Sequence, residues 1–381
     1  MFLKVTYDGL SSPSLKWCKN TETDISGYNV YRAVHKNSDA SLTYVKLNSS
    51  FITDSIYQDT NPLPAISCNN YDSIVFSYKV TAVDNQSYES VASDTSRMFY
   101  AKAITTNITS SVTLSNRMVL LNNVSISSGA TVSIPAGASV KFKSGVAITS
   151  YGVINATGSS GSRITFTSSV PTEYWGGIVF NGSGAGNAIL SYTDVKRVSG
   201  SAVSVVNCSG LPIFSFCNFS NNTTGIRFNN SGGYLVGNTA ESNTTGVDID
   251  NYASPSFGMY PYSSFSCGGA SNNKIRNNTT GVYCGSNTSV MIGSASNQYF
   301  YGNCLYNNSS YNLHLDAGSI VDAHNIYWGS IPGDKIFNEG GTLRCTTYCT
   351  SPPTSKYSEE STTPISEEVS YKKSSISVTL P

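Results

Sequence analysis

Asp248 and Asp250 stand two residues apart in the segment Thr245-Gly246-Val247-Asp248-Ile249-Asp250. In an extended strand such residues point to the same side, roughly 7 Å apart. A carboxylate pair at that spacing can hold a calcium ion or share acid and base duties on a glycosidic bond. The surroundings of the pair follow from an internal repeat. Asn221-Asn222-Thr223-Thr224-Gly225-Ile226 recurs as Ser242-Asn243-Thr244-Thr245-Gly246-Val247 and as Asn277-Asn278-Thr279-Thr280-Gly281-Val282, with a weaker copy at Asn307-Asn308-Ser309-Ser310-Tyr311-Asn312-Leu313. Aligning the copies gives one outward column of Arg227, Asp248, Tyr283 and His314, and a second of Asn229, Asp250, Gly285 and Asp316. Asp248, Asp250, Asp316, Arg227 and His314 are therefore the candidate catalytic group. Asp248 and Asp250 are the candidate calcium ligands, and no other cofactor is expected. The alternative is a solvated polar face whose Arg227–Asp248 ion pair is worth about 0–1 kcal/mol.

The insertion between the second and third copies is rich in rings: Tyr252, Phe257, Tyr260 and Tyr262. With Tyr283 they are candidate ligand-binding residues, because exposed rings stack on sugar faces at low entropic cost. The competing expectation is that they cap the apolar side of the fold. Other chemistry is thin. There is no Gly-x-Ser-x-Gly elbow, and His35, His314 and His324 lie in unlike contexts, so a hydrolase triad has no support. Gly182-Ser183-Gly184-Ala185-Gly186 lies between strands with no helix after it, unlike a phosphate loop. The 9 cysteines show no CxxC pair and there is no His-rich cluster, which argues against a zinc site. Cys345 and Cys349 either close a small disulfide loop or stay free thiols.

The elements that must carry these residues are strands. The repeats begin 21, 35 and 30 residues apart. Units that short cannot bury their own apolar faces and must stack on their neighbours. One strand, an Asn-rich bend and another strand suit one coil of a parallel β-helix, with the longer gaps holding inserted loops. Ile226, Val247, Val282 and Leu313 then stack inward, as do Phe228, Ile249, Cys284 and Leu315. The bend asparagines Asn222, Asn243, Asn278 and Asn308 bond from coil to coil. Residues 1–100 have a different texture, with short strands between turns. The strict alternation Phe76-Ser77-Tyr78-Lys79-Val80-Thr81-Ala82 puts Phe76, Tyr78, Val80 and Ala82 on one buried face. About seven such strands suggest an antiparallel sandwich. Residues 346–381, rich in Ser, Thr, Pro and Glu, read as a disordered linker or tail.

Composition narrows the function classes. Of 381 residues only 12% are charged, with 23 cationic and 23 acidic side chains and zero net formal charge. Nucleic-acid binding, which needs a dense positive field, is not expected. No apolar run approaches the ~20 residues needed to span a bilayer as a helix. The 36 Asn, 32 Gly and 25 Tyr suit half-wet β-sheet instead. The amino-terminal residues lack a signal-peptide pattern, so either a signal has been removed or the chain is an internal piece of a longer one. Asn-x-Ser/Thr sequons arise by chance in so Asn-rich a chain and carry little weight for glycosylation.

Two resemblances emerge from these residues. Leu15-x-Trp17, the run Asp24-Ile25-Ser26-Gly27-Tyr28-Asn29-Val30-Tyr31-Arg32, and Tyr78-x-Val80-x-Ala82-Val83-Asp84 resemble a bacterial fibronectin type III domain over residues 1–100. In that family a corner tyrosine bonds backbone, and here Phe76 stands at its place, with Tyr78 the nearest substitute. Ser128-Gly129-Ala130-Thr131-Val132-Ser133-Ile134-Pro135-Ala136-Gly137, Trp175-Gly176-Gly177-Ile178 and Asn325-Ile326-Tyr327-Trp328-Gly329 resemble the right-handed parallel β-helix repeat of secreted, pectin-lyase-like bacterial proteins over 101–345. The fold expected is thus all-β, an immunoglobulin-like sandwich followed by a right-handed parallel β-helix. Pectate lyases and polygalacturonases of that family act through outward β-helix faces, but their Asp clusters and their Asn-Thr-Asp or Gly-His-Gly signatures are missing here. The function expected is non-enzymatic adhesion or glycan binding, outside the cell or on its surface, by a monomer within a longer modular chain. The alternatives are a lyase or hydrolase of acidic polysaccharide, and a structural element of the cell envelope.

Overall fold

The computed structural model describes residues 2–258, 272–293, 303–324, 326–329, 335–345, 347–349 and 362–364. Among them the strands form five sheets, and the one helical element is a 3-10 turn at Ser183–Ala185. No helix among them is long and apolar enough to cross a membrane.

The first seven strands are β1 (Leu3–Thr6), β2 (Ser14–Trp17), β3 (Ile25–Lys36), β4 (Val45–Lys46), β5 (Ile56–Gln58), β6 (Ser73–Asp84) and β7 (Ser96–Ile104). β1, β2 and β5 pair antiparallel as one sheet, and β4, β3, β6 and β7 pair antiparallel as another. The two sheets share one core in which Leu3, Leu15 and Trp17 meet Val30, Phe76, Tyr78 and Val80. β6 buries the alternating set read from the sequence, and Ser77 and Thr81 on its other face are buried too. The reason is its central place in the sheet, where Ser77 meets His35 Nε2 at 2.9 Å and the Thr81 hydroxyl donates to Glu89 at 2.8 Å. Phe76 has no hydroxyl to give. The Tyr78 hydroxyl donates instead to a side chain, Asp59 Oδ2, at 2.7 Å.

β7 joins the two halves. It pairs antiparallel with β6, and its residues Lys102–Ile104 pair parallel with Met118–Leu120. Ala101 and Ala103 belong to the sandwich core, while Ile104 belongs to the next one. From Arg117 onward the coils stack their strands in three parallel rows, one of them interrupted between Tyr234–Val236 and Ser289–Gly293, which is a parallel β-helix. One stack runs from Val124–Ile126 to Ile336–Asn338 with every neighbouring pair parallel. In-register stacking places like residues over like residues, so the interior is a set of apolar ladders. Phe142 lies flat on Trp175 at a ring separation of 3.7 Å, and Ile226, Val247, Val282 and Leu313 form one buried line.

The corners are built by asparagine. Asn221, Ser242, Asn277 and Asn307 take left-handed φ near 56–58° and turn the chain, and the asparagine after each points inward. Asn222 donates from Nδ2 to Asn243 Oδ1 (3.1 Å), Asn243 to Asn278 (3.1 Å), and Asn278 to Asn308 (3.0 Å). Buried amides that satisfy one another cost nothing in lost hydration, whereas unpaired ones cost about 1–3 kcal/mol each. A second ladder, Asn238–Asn273–Asn303, does the same at another corner with Nδ2 to Oδ1 distances of 3.1 and 2.9 Å. Within the expected tail, Thr347–Cys349 adds a parallel strand to the open end of one stack and Thr362–Pro364 pairs antiparallel with it. The unpaired edge of a stack offers a row of hydrogen-bonding groups that recruits such segments. The rest of 346–381, and the side chain of Cys349, lie outside the described residues.

Candidate functional site

The strands Thr224–Asn229, Thr245–Asp250, Thr280–Cys284, Tyr311–Leu315 and Ile336–Asn338 lie side by side in the long parallel stack. Their register pairs Arg227 with Asp248, Asp248 with Tyr283, Tyr283 with His314, and His314 with Phe337. The alternation that sends Val247, Ile249, Val282 and Cys284 into the core sends these side chains outward. All five candidate catalytic residues therefore lie on one face across four coils.

Their contacts divide into two groups. Arg227 bridges both carboxylates of the first pair, with Nε 3.3 Å from Asp248 Oδ2 and Nη2 3.5 Å from Asp250 Oδ2. The Nε–H is out of hydrogen-bond alignment, so the first contact is one of charge. In the second group the Tyr283 hydroxyl donates to Asp316 Oδ2 at 2.5 Å, and His314 Nε2 lies 3.4 Å from Asp316 Oδ1. The imidazole is walled edge-on by Tyr283, Tyr311 and Phe337, with ring separations of 5.0, 5.7 and 4.8 Å. The hydrogen bond to Asp316, then burial, raise the Tyr283 phenol above its ordinary value, so it stays a donor.

Gly285 divides the groups. It stands between Asp250 and Asp316 in the second column, and a Cβ there would come within 2.8 Å of Asp250 Oδ1. The missing side chain opens a notch into which the Asp250 carboxylate leans, with Tyr283 on its flank and Asp316 beyond. Coils repeat every ~4.8 Å, so the notch spans about 10 Å between the two aspartate positions.

Asp248 has an unusual acidity. Burial is the main cause that lifts its carboxyl above the ordinary range; Arg227 opposes it and Asp250 adds to it. A carboxyl whose folded value exceeds its unfolded one favours the fold as the neutral acid, and that advantage is lost as pH rises through the folded value. At pH 7 the ionised Asp248 is thus held at a cost. Asp248→Asn is expected to unfold at the same or a higher temperature than the native chain at pH 7. The gap should close as the pH falls into the carboxylate range. Thermal scans from about pH 3 to 7 check this; a variant markedly less stable at pH 7 would contradict the assignment.

The ligand-binding candidates fare unevenly. Tyr252, two residues past Asp250, is 70% exposed and lies beside the first group. Tyr283 is half-buried within the site. Phe257 is a correction: it is 0% exposed and belongs to the interior. Ser256 bridges Tyr234 and Met291 across the gap between the strands Tyr234–Val236 and Ser289–Gly293, which turns the next side chain inward. Tyr260 and Tyr262 lie outside the described residues. Glu339 is a site residue that the repeat alignment misses. Its carboxylate oxygen lies within 4.8 Å of ligand atoms of both His314 and Asp316. One more alignment step, Ile336-Phe337-Asn338-Glu339 under Leu313-His314-Leu315-Asp316, places it in the Asp316 column. A separate open cleft of about 530 Å³ runs past Tyr174, Ser199, Thr223 and Thr244, but carries no carboxylate or base.

No protein-family model matches the chain, and no curated protein matches it. Among solved structures it is similar to the family 28 exopolygalacturonase of Yersinia enterocolitica, at 11% identity over 90% of this chain and 98% of that one, with a TM-score of 0.20. What stands on the chain's own strand pairing is a parallel β-helix with a charged, aromatic-flanked face.

Proposed function

We propose that this protein binds a polysaccharide or cell-surface glycan outside the cell, along the outward face that carries Asp248, Asp250, Tyr283 and Asp316. The sandwich, which resembles a fibronectin type III domain, serves as its spacer. The observation that carries this reading is the Gly285 notch, where carboxylates stand on both sides and Tyr283 flanks them. Carboxylate oxygens accept from vicinal sugar hydroxyls, and the exposed Tyr252 ring offers a stacking surface. One cation against two carboxylates (Arg227 against Asp248 and Asp250) favours a neutral chain over a uronic-acid polymer.

A second reading, glycoside cleavage, is favoured by one observation: Asp248 is a half-buried carboxyl lifted above its ordinary range, beside the more exposed Asp250. Unequal carboxyls are what an acid–base pair needs, and a spacing of roughly 7 Å falls in the range of inverting glycosidases. A glycan-array screen with and without calcium, followed by incubation of each hit, tests both. Binding should weaken at least ~10-fold in Gly285→Ala, whose new Cβ must displace the Asp250 carboxylate, and in Asp250→Asn. Release of reducing ends, lost in Asp248→Asn, would make cleavage the function. No binding to any glycan, or binding that both variants leave intact, would remove the proposal.

A further inference from the structure

We infer that His314, Asp316 and Glu339 form a binding site for a divalent transition metal ion of the zinc, cobalt or manganese type. The inference does not depend on glycan binding. One ligand atom from each residue lies within 4.8 Å of the other two. His314 Nε2 and Asp316 Oδ1 are 3.4 Å apart. Two ligands on a tetrahedral ion with bonds of ~2.0–2.1 Å stand about 3.3–3.4 Å apart, so this edge is already set. Glu339 is exposed and long enough to close the third position, which leaves the outward side of the ion to solvent.

Three further observations point to an ion. His314 Nε2 is sealed from solvent and makes no hydrogen bond, although its ring is held edge-on by three aromatic neighbours. A rigid imidazole that aims an unused nitrogen at a carboxylate oxygen is arranged as a ligand. Asp316 divides its oxygens, with Oδ1 facing His314 and Oδ2 accepting from the Tyr283 hydroxyl at 2.5 Å. That is how a neighbouring donor orients a ligating carboxylate. The Glu339 carboxylate has no hydrogen-bond or ion-pair partner among the described residues, yet the coil repeat stacks it over Asp316. Stacked like charges are unfavourable unless a cation lies between them.

The ligand set also selects the metal. An imidazole nitrogen with two carboxylates suits zinc, cobalt or manganese, whereas calcium takes six to eight oxygens. The cysteine and histidine spacings argued against zinc because motif spacing sees only neighbours in sequence. Here His314 lies on one strand, Asp316 just past its end, and Glu339 at the matching point of the next coil.

The test is titration of the chelator-treated chain with Co²⁺ and Zn²⁺, followed by calorimetry and by the visible spectrum of cobalt. One equivalent should bind to the native chain. That equivalent should weaken at least ~10-fold in His314→Ala, Asp316→Asn and Glu339→Gln. Tyr283→Phe should weaken it ~10–100-fold while the cobalt spectrum keeps its shape, since the ligands remain. Glu339→Gln changes only an exposed side chain, so it reports even where another variant fails to fold. Absence of a cobalt equivalent in the native chain overturns the inference. So does an equivalent that Glu339→Gln and His314→Ala both retain, or one that Ca²⁺ displaces at equal concentration.

Discussion

Replacing Asn278 with alanine should cost on the order of 3–5 kcal/mol of stability, far more than its size suggests. The side chain is 3% exposed and makes four hydrogen bonds. Its Oδ1 accepts from Asn243 N (3.0 Å) and Asn243 Nδ2 (3.1 Å), and its Nδ2 donates to Ala240 O (3.0 Å) and Asn308 Oδ1 (3.0 Å). Alanine keeps the fold's outline but leaves the Asn243 N–H buried without a partner, and takes one bond each from Asn243 Nδ2, Asn308 Oδ1 and the Ala240 carbonyl. Because each coil touches only its neighbours, the loss should appear as early opening of the coils beyond residue 278 rather than as uniform weakening. Urea unfolding with hydrogen exchange reads both effects. Unchanged protection of the strands at Thr280–Cys284 and Tyr311–Leu315 would show that the ladder is not what joins them.

The second large effect lies in the sandwich. Asp59→Ala should cost about 3–5 kcal/mol, because it strands a buried charge. Arg32 is 6% exposed, and its Nη1 donates to Asp59 Oδ2 at 2.7 Å while its Nη2 donates to Pro62 O at 2.7 Å. The guanidinium also lies 5.0 Å from the centre of the Phe76 ring. The same Asp59 oxygen accepts from Tyr78, whose phenol burial pushes well above its ordinary value. Tyr78→Phe removes one donor from a carboxylate that keeps its arginine, so its cost should be nearer 1–2 kcal/mol. Denaturant unfolding of both variants checks the ranking; equal losses would mean that the Arg32 charge is not what Asp59 holds in place.

The outward columns were legible in the sequence because a solenoid turns long-range contacts into alignment. Once Asn-Thr-Thr-Gly, or Asn308-Ser309-Ser310-Tyr311 in the fourth copy, marks the same point in successive coils, Arg227 must meet Asp248, and Tyr283 must meet His314, whatever the length of the loops between. The asparagine corners were legible for the same reason. The second ladder was visible in principle, since Asn238, Asn273 and Asn303 repeat at the same 35 and 30 residues as Asn243, Asn278 and Asn308. It lacks the flanking Thr-Thr-Gly that draws the eye. Glu339 escaped because its coil has lost that signature altogether.

The strand period, the inward and outward assignment of each column and the coil-to-coil register can thus be read from the residues alone. Apolar alternation and bend asparagines fix those locally, and stacking merely repeats them. What happens between columns and inside insertions is set by packing in three dimensions. There, the Tyr283 hydroxyl crosses to Asp316, and the Asp250 carboxylate leans over Gly285. Likewise Phe257 turns into the core while Tyr252 turns out. Those outcomes depend on side-chain reach and on which neighbour leaves room, and periodicity carries no record of either.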